Sequence, residues 1–363
     1  MGKDTENPEQ LYQKAMELIG NDESNVHTGG FLDSESFQYL LRAGELGHSE
    51  SQLLLGMAYS YAYAHDLDNE DLAEISRGWY AKAVENGNLR AMLIVSRGND
   101  SKDLFQKVVD SDPTDPRVQY EIGTYYLFGH TVEEDHSAAA EWLIRSAEQG
   151  EAMAMFYLST MYLKGDGVEQ SDKKAFQYSM KAAELGLSTS QYHVGWHYCQ
   201  GVGVERSYGK ALEWFERAVE NGDTMSMISL GEMYEAGLGV EDSLTKAAEF
   251  YSKAAEAEDP CGMVYLGHMY AEGLGVEQSD RKAYNLYRQA VNHIFGNLAV
   301  ERLKAKAMED DDIAMFVLGE CYEGGLNVKP SYEKALEYYT KAAALDCSMA
   351  IAKLSFIKKQ GPS

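Results

Sequence analysis

Apolar and small residues recur along this chain at the three-to-four spacing of one helix face, and the arrangement returns every 36 residues. Around Gly231 the stripe is Ser226, Met227, Leu230, Gly231 and Tyr234, which predicts a helix packed on one side. Gly-Leu-Gly-Val follows at 237–240. The helix must stop there, because glycine accepts the left-handed conformation that ends a helix and the valine turns back toward the core. A second stripe then carries Lys-Ala, an aromatic residue and Ala-Ala or Ala-Val, as in Lys210, Ala211, Trp214 and Ala218. Ser171, Asp172, Ser207, Ser243, Asp280 and Ser331 stand where that second helix needs a cap. Each unit therefore predicts two antiparallel helices, and three copies abut without a gap over 152–259.

With the Leu-Gly position as a ruler, marks fall at Gly20, Gly56, Ser96, Gly123, Ser159, Gly195, Gly231, Gly267, Gly319 and Ser355. Five successive marks from 123 to 267 are 36 apart. The step from 56 to 96 is four residues longer, which assigns an expanded loop to YAYAHDLDNEDLAEIS. The step from 96 to 123 is nine shorter, so the third unit has lost most of its inter-helix loop. The step from 267 to 319 is 16 longer through VNHIFGNLAVERLKAKAMED, which either lengthens a helix or adds one after Gly296. A lone pair cannot bury its apolar face, so stacking is compulsory. The expected fold is all-α, a right-handed α-α superhelix (solenoid) of about nine helix-turn-helix repeats plus a terminal helix, forming one domain over 1–363. Within it, 1–50 reads as a degenerate cap repeat, 51–115 as irregular repeats and 116–294 as regular ones. Residues 295–311 read as a helical insertion and 312–363 as the last repeat with a capping helix.

Composition adds a soluble character: 45% hydrophobic, 25% charged and 6 prolines, with no apolar run long enough to span a membrane. The polar start MGKDTENPEQ does not read as a secretory signal. A formal charge of −26 repels phosphate backbones and anionic lipid heads, so neither nucleic acid nor a membrane is the expected partner. Cys199, Cys261, Cys321 and Cys347 occupy no shared place in the repeat, which reads as free thiols in a reducing compartment. The expected location is the cytoplasm, or that of a secreted effector without a classical signal peptide.

Leu-Gly-x-x-Tyr-x-x-Gly-x-Gly-Val, followed by Lys-Ala-x-x-Trp-(Phe/Tyr)-x-(Lys/Arg)-Ala-(Ala/Val)-Glu-x-Gly, resembles the Sel1-like repeat, a relative of the tetratricopeptide repeat. The resemblance is strong across 116–294 and 312–347, good at 51–88 and weak at 1–47 and 89–115. It implies a non-catalytic adaptor that holds other proteins together in signalling, quality control or bacterial host interaction. A cysteine-rich branch linked with penicillin binding carries a thiol pair in each repeat, which this chain lacks.

The chemistry of sites adds little. The Gly-x-Gly-Val loops lack the Gly-Lys-Ser/Thr of a phosphate cradle, and no Gly-x-Ser-x-Gly occurs. No cofactor or metal is expected. His193 and His197, four apart on one helix with Cys199 near, keep open a metal-dependent sensor or enzyme. An acidic inhibitor or immunity-type protein that neutralises a basic partner is a further alternative. For the adaptor, helical geometry opposes positions −2, +1 and +5 from the ruler to the packed stripe. In related arrays the first helices line the concave surface, so these positions would face a partner. Tyr157, His193, Trp196, Gln200, Glu232, Tyr265, His268 and Glu272 are the resulting partner-binding candidates. Aromatics among carboxylates suit a protein or peptide with apolar anchors and basic flanks.

Overall fold

A computed structural model describes residues 7–360 apart from Asp22, Gly29, Asp68 and Asp100. The opening segment 1–6, which carries part of the start read as no signal peptide, lies outside them. Among the described residues there are twenty α-helices, two short 3-10 turns and no strand. These gather into two compact units, 1–171 and 172–363.

The first unit pairs α1 (Pro8–Leu18) with α2 (Glu35–Glu45), α3 (Ser49–His65) with α4 (Glu70–Glu85), α5 (Leu89–Asn99) with α6 (Lys102–Asp110) and α7 (Pro116–Phe128) with α8 (His136–Glu148), and ends in α9 (Ala152–Lys164). The second opens with α10 (Asp172–Glu184) and continues with the pairs α11 (Ser188–Gln200) and α12 (Tyr208–Glu220), α13 (Thr224–Ala236) and α14 (Leu244–Glu256), α15 (Pro260–Glu272) and α16 (Asp280–Asn292). An added helix, α17 (Gly296–Met308), precedes α18 (Asp312–Gly324), α19 (Tyr332–Ala344) and the single α20 (Ser348–Gln360).

Small residues on the ruler let the paired helices close up. A Cβ on Gly56 would sit 2.7 Å from the Tyr80 ring, one on Gly123 2.7 Å from Leu143 Cγ, and one on Gly195 2.5 Å from the Phe215 ring. Gly231, Gly267 and Gly319 meet Tyr251, Tyr287 and Tyr339 in the same way. In the pairs Trp214–Phe215, Phe250–Tyr251 and Tyr338–Tyr339 the second ring goes inside, and Trp214 lies under the Arg217 guanidinium at 4.6 Å; in α4 the first ring, Trp79, is the buried one.

Each regular first helix ends on a left-handed glycine. Gly201, Gly237 and Gly273 donate their N–H to the carbonyl four residues back. The loop then closes when Ser207, Ser243 and Ser279 donate N–H to the carbonyls of Tyr198, Tyr234 and Tyr270 at 2.8–2.9 Å. The same serines, with Ser331, cap the second helix by accepting from the N–H of Lys210, Lys246, Lys282 and Lys334. Their lysine ammonium groups lie 4.5–5.2 Å from the ring centres of Tyr198, Tyr234, Tyr270 and Tyr322, a weak but repeated cation–π contact.

Three expectations change, and one open alternative is resolved. Gly20 is not a packing residue: α1 has ended, Gly20 turns the chain at φ +73, and Ala15 is the buried small residue. Asp172 and Asp280 are first residues of their helices, and Ser279 rather than Asp280 is the cap. The segment assigned to an expanded loop is largely helical, because no glycine interrupts it and α3 and α4 lengthen to 17 and 16 residues. The insertion after 292 is a separate helix, broken from α16 at His293–Phe295, where the Phe295 N–H bonds His293 Nδ1 at 3.2 Å.

Candidate functional site

On α11 the opposing positions carry His193, Trp196 and Gln200. Trp196 is half-buried against His197, with ring centres 5.3 Å apart, and its indole N–H has no hydrogen-bond acceptor among the described residues. Gln200 is exposed. His193 is half-buried, and burial, with His197 beside it, pushes its imidazole down to about 4. An unfolded chain takes up that proton near the ordinary value of about 6.5. From about 6.5 down to about 4 the unfolded state therefore binds more protons, and stability falls as pH falls. We expect His193→Gln to remove on the order of 2–3 kcal/mol of that loss, read as a flatter plot of urea midpoint against pH. An unchanged slope would show that the imidazole is solvated.

His197 belongs to the core. It is fully buried, its Nδ1 lies 2.7 Å from the Val202 carbonyl and its Nε2 3.5 Å from Ser179 Oγ, so the ring pins the loop to its helix. Burial, then Glu232, push the Cys199 thiol up to about 11. Among the described residues no three His, Cys, Asp or Glu side chains are grouped to hold a metal ion.

On α13, Ser229 is half-buried while Glu232 and Ala236 are exposed. Tyr265 of α15 donates its hydroxyl to Glu232 Oε1 at 2.7 Å and stacks on Tyr251 at 4.9 Å. Tyr251 in turn donates to Glu235 at 2.8 Å. Arg302 and Lys306 of α17 lie 5.9 and 5.4 Å from the Tyr265 ring. The ring is thus held from three helices. Glu272 is exposed.

His268 is not on an open face. It is 6% exposed, with Nδ1 2.9 Å from Asp311 and Nε2 3.4 Å from Glu309. Asp311 also accepts the Tyr287 hydroxyl and caps α18 through the Ala314 N–H at 2.8 Å. The reason is α17: the added helix packs against α15 and carries the chain back so that its end covers His268.

In the first unit Tyr157 is half-buried, with ring centres 6.0 Å from Tyr120 and 5.7 Å from Phe128. Glu121, at the same register, points into an ion cluster that the pattern did not reveal. Arg90 of α5 meets Glu23 at 2.8 Å, Glu50 at 3.1 Å and Glu121 at 3.3 Å. Their repeat positions differ, so periodicity gives no signal for the cluster. Asp311 did carry one: it lies eight residues before its ruler mark, the cap position also held by Asp223 and Asp259.

The Sel1 repeat model matches residues 33–48, 49–88, 116–151, 152–187, 188–223, 224–259, 262–293 and 312–347. The chain is a Sel1 repeat protein. Among the similar solved structures are two at 26% identity. One is c5321 from uropathogenic Escherichia coli, described as a protective antigen with an SLR fold, at 26% identity and TM-score 0.54 over 98% of this chain and 83% of that one. The other is a Sel1 repeat protein from Oxalobacter formigenes, at 26% identity and TM-score 0.52 over 72% of this chain and 96% of that one. No curated protein matches the chain. Sel1 repeats generally mediate protein–protein interaction. No helix among the described residues is long and apolar enough to cross a membrane.

Proposed function

We propose that this Sel1 repeat protein is a non-catalytic scaffold that binds another protein through the first-helix face of residues 188–272. The observation that carries the reading is Trp196: a half-open indole with an unused N–H, in the same register as the exposed Glu232 one repeat later. A large flat ring gains most when a partner desolvates it, and nearby carboxylates favour a basic flank on that partner. Tyr265, tied to Glu232 and covered by α17, positions the carboxylate and contributes less contact.

The test is affinity capture from the source cell with wild type, Trp196→Ala and Glu232→Lys, each checked by circular dichroism. We expect Trp196→Ala to lose about 2 kcal/mol of binding while its helix content and melting temperature stay unchanged. Glu232→Lys should weaken the same partner, most at low salt. A partner retained equally by both folded variants would move the interface off this face.

A further inference from the structure

The third helix pair departs from the others where its loop should be. In the regular unit, Met233 is buried against Ala211, Leu212 and Phe215 of the preceding second helix, and loop residues Leu238 and Val240 pack on the same cluster. The next unit repeats this with Met269, Leu274 and Val276 against Ala247, Ala248 and Tyr251. Counted from the ruler marks, the corresponding places in α4 and α5 are Ser76, Arg77, Tyr80 and Gly98. Gly98 has no side chain to offer. Only six residues separate Ser96 from the start of α6 at Lys102, against 13 from Gly231 to Leu244, so no counterparts of Leu238 and Val240 exist.

What remains is a cavity of about 740 Å³ whose lining includes Tyr63, Ser76, Arg77, Tyr80, Ile94 and Gly98. A Cβ on Gly98 would meet nothing within 4 Å, so the space reaches the backbone. The volume falls in the range of ligand-binding clefts.

We propose that this cavity receives an extended segment of another protein, with two apolar side chains spaced as in Gly-Leu-Gly-Val and a carboxylate directly after them. The argument comes from the chain's own repeats, which show what fills this place when the loop is present. Those loops run on into Glu241 and Asp242, and into Glu277. Here Arg77, exposed and without a carboxylate partner among the described residues, stands where Leu212 and Ala248 stand elsewhere. The lining is mostly apolar and carries two charges eight residues apart on α4, Arg77 and Glu85; the end at Arg77, which makes no ion pair among the described residues, matches an apolar pair followed by an acid. The site is separate from the Trp196 face and does not rest on it.

The test is fluorescence anisotropy with a labelled peptide of residues 235–242, EAGLGVED, titrated with the full chain. Wild type should give saturable binding, and the same peptide with serine in place of its Leu and Val should give none. Gly98→Met refills the place that Met233 takes and should weaken binding about tenfold or more. Arg77→Glu should weaken it and reduce its dependence on salt, while Trp196→Ala should leave it unchanged. Absence of saturable binding to wild type, or equal binding to a folded Gly98→Met, would overturn the proposal. So would an apolar dye that binds wild type and is excluded by Gly98→Met while the peptide does not bind, since the cavity would then take small molecules.

Discussion

Replacing Asp311 with alanine is expected to cost about 3–5 kcal/mol, the sum of several hydrogen bonds lost from one buried carboxylate and of the buried partners left unpaired. Asp311 is 0% exposed, and its two oxygens accept from Tyr287, His268 and the Ala314 N–H. The substitution leaves a buried imidazole, a buried phenol and an uncapped helix end, so three losses arrive together. Those contacts draw on α15, α16 and α18, and the damage should concentrate there. A urea titration followed by circular dichroism should show an early partial transition, because stacked repeats unfold piecewise when one interface fails. Asp310 gives the contrast. It is exposed at φ +63, so Asp310→Gly relieves a left-handed residue and should be neutral or stabilising by about 0.5 kcal/mol. A loss under about 1 kcal/mol for Asp311→Ala would mean that water replaces the missing carboxylate.

That pair of aspartates shows what periodicity makes legible. The repeat, the helix pairing and the small-residue ruler follow from local rules that hold wherever the period holds. The cap position is part of that pattern, so counting back from Gly319 singles out Asp311 from its neighbours. The burial of His268 was not legible, because it depends on α17, which has no counterpart in any other unit. Its ring takes the register of Trp196, which stays half-open since no extra helix covers it. Arg90 fails for a similar reason, its three carboxylates coming from three separate elements across the sequence. The expanded loop was misread because a length excess alone does not say whether residues enter a loop or extend a helix. The absence of glycine between Met57 and Ile75 decided that, and composition could have shown it.

The departures from the period also hold the features that set this chain apart from a plain array. The nine-residue deficit opens a cavity beside Gly98, and the excess after Asn292 supplies the helix that fixes Tyr265 and buries His268. A regular repeat supplies the stack, and its irregular members supply particular surfaces.

The two glycines of each Gly-x-Gly-Val loop should respond very differently to alanine. Both have positive φ, Gly273 at +68 and Gly275 at +67, so each substitution carries a left-handed penalty of about 1–2 kcal/mol. A Cβ on Gly273 meets only Gln278 Cβ at 3.2 Å, which a small shift relieves. A Cβ on Gly275 runs into backbone atoms of Leu244 and lies 2.6 Å from the Thr245 nitrogen, at the start of the preceding second helix. Gly167, Gly203 and Gly239 sit likewise on the starts of α8, α10 and α12. The first glycine therefore ends a helix, while the second is where one repeat rests on the one before it. Gly275→Ala has to push those repeats apart, and forced separation of a packed contact adds about 1–3 kcal/mol. We expect Gly273→Ala to lose about 1–2 kcal/mol and Gly275→Ala about 3–5 kcal/mol, measured as shifts in the urea midpoint at constant slope. Equal losses would leave both glycines as turn residues and assign the contact between repeats to the helices alone.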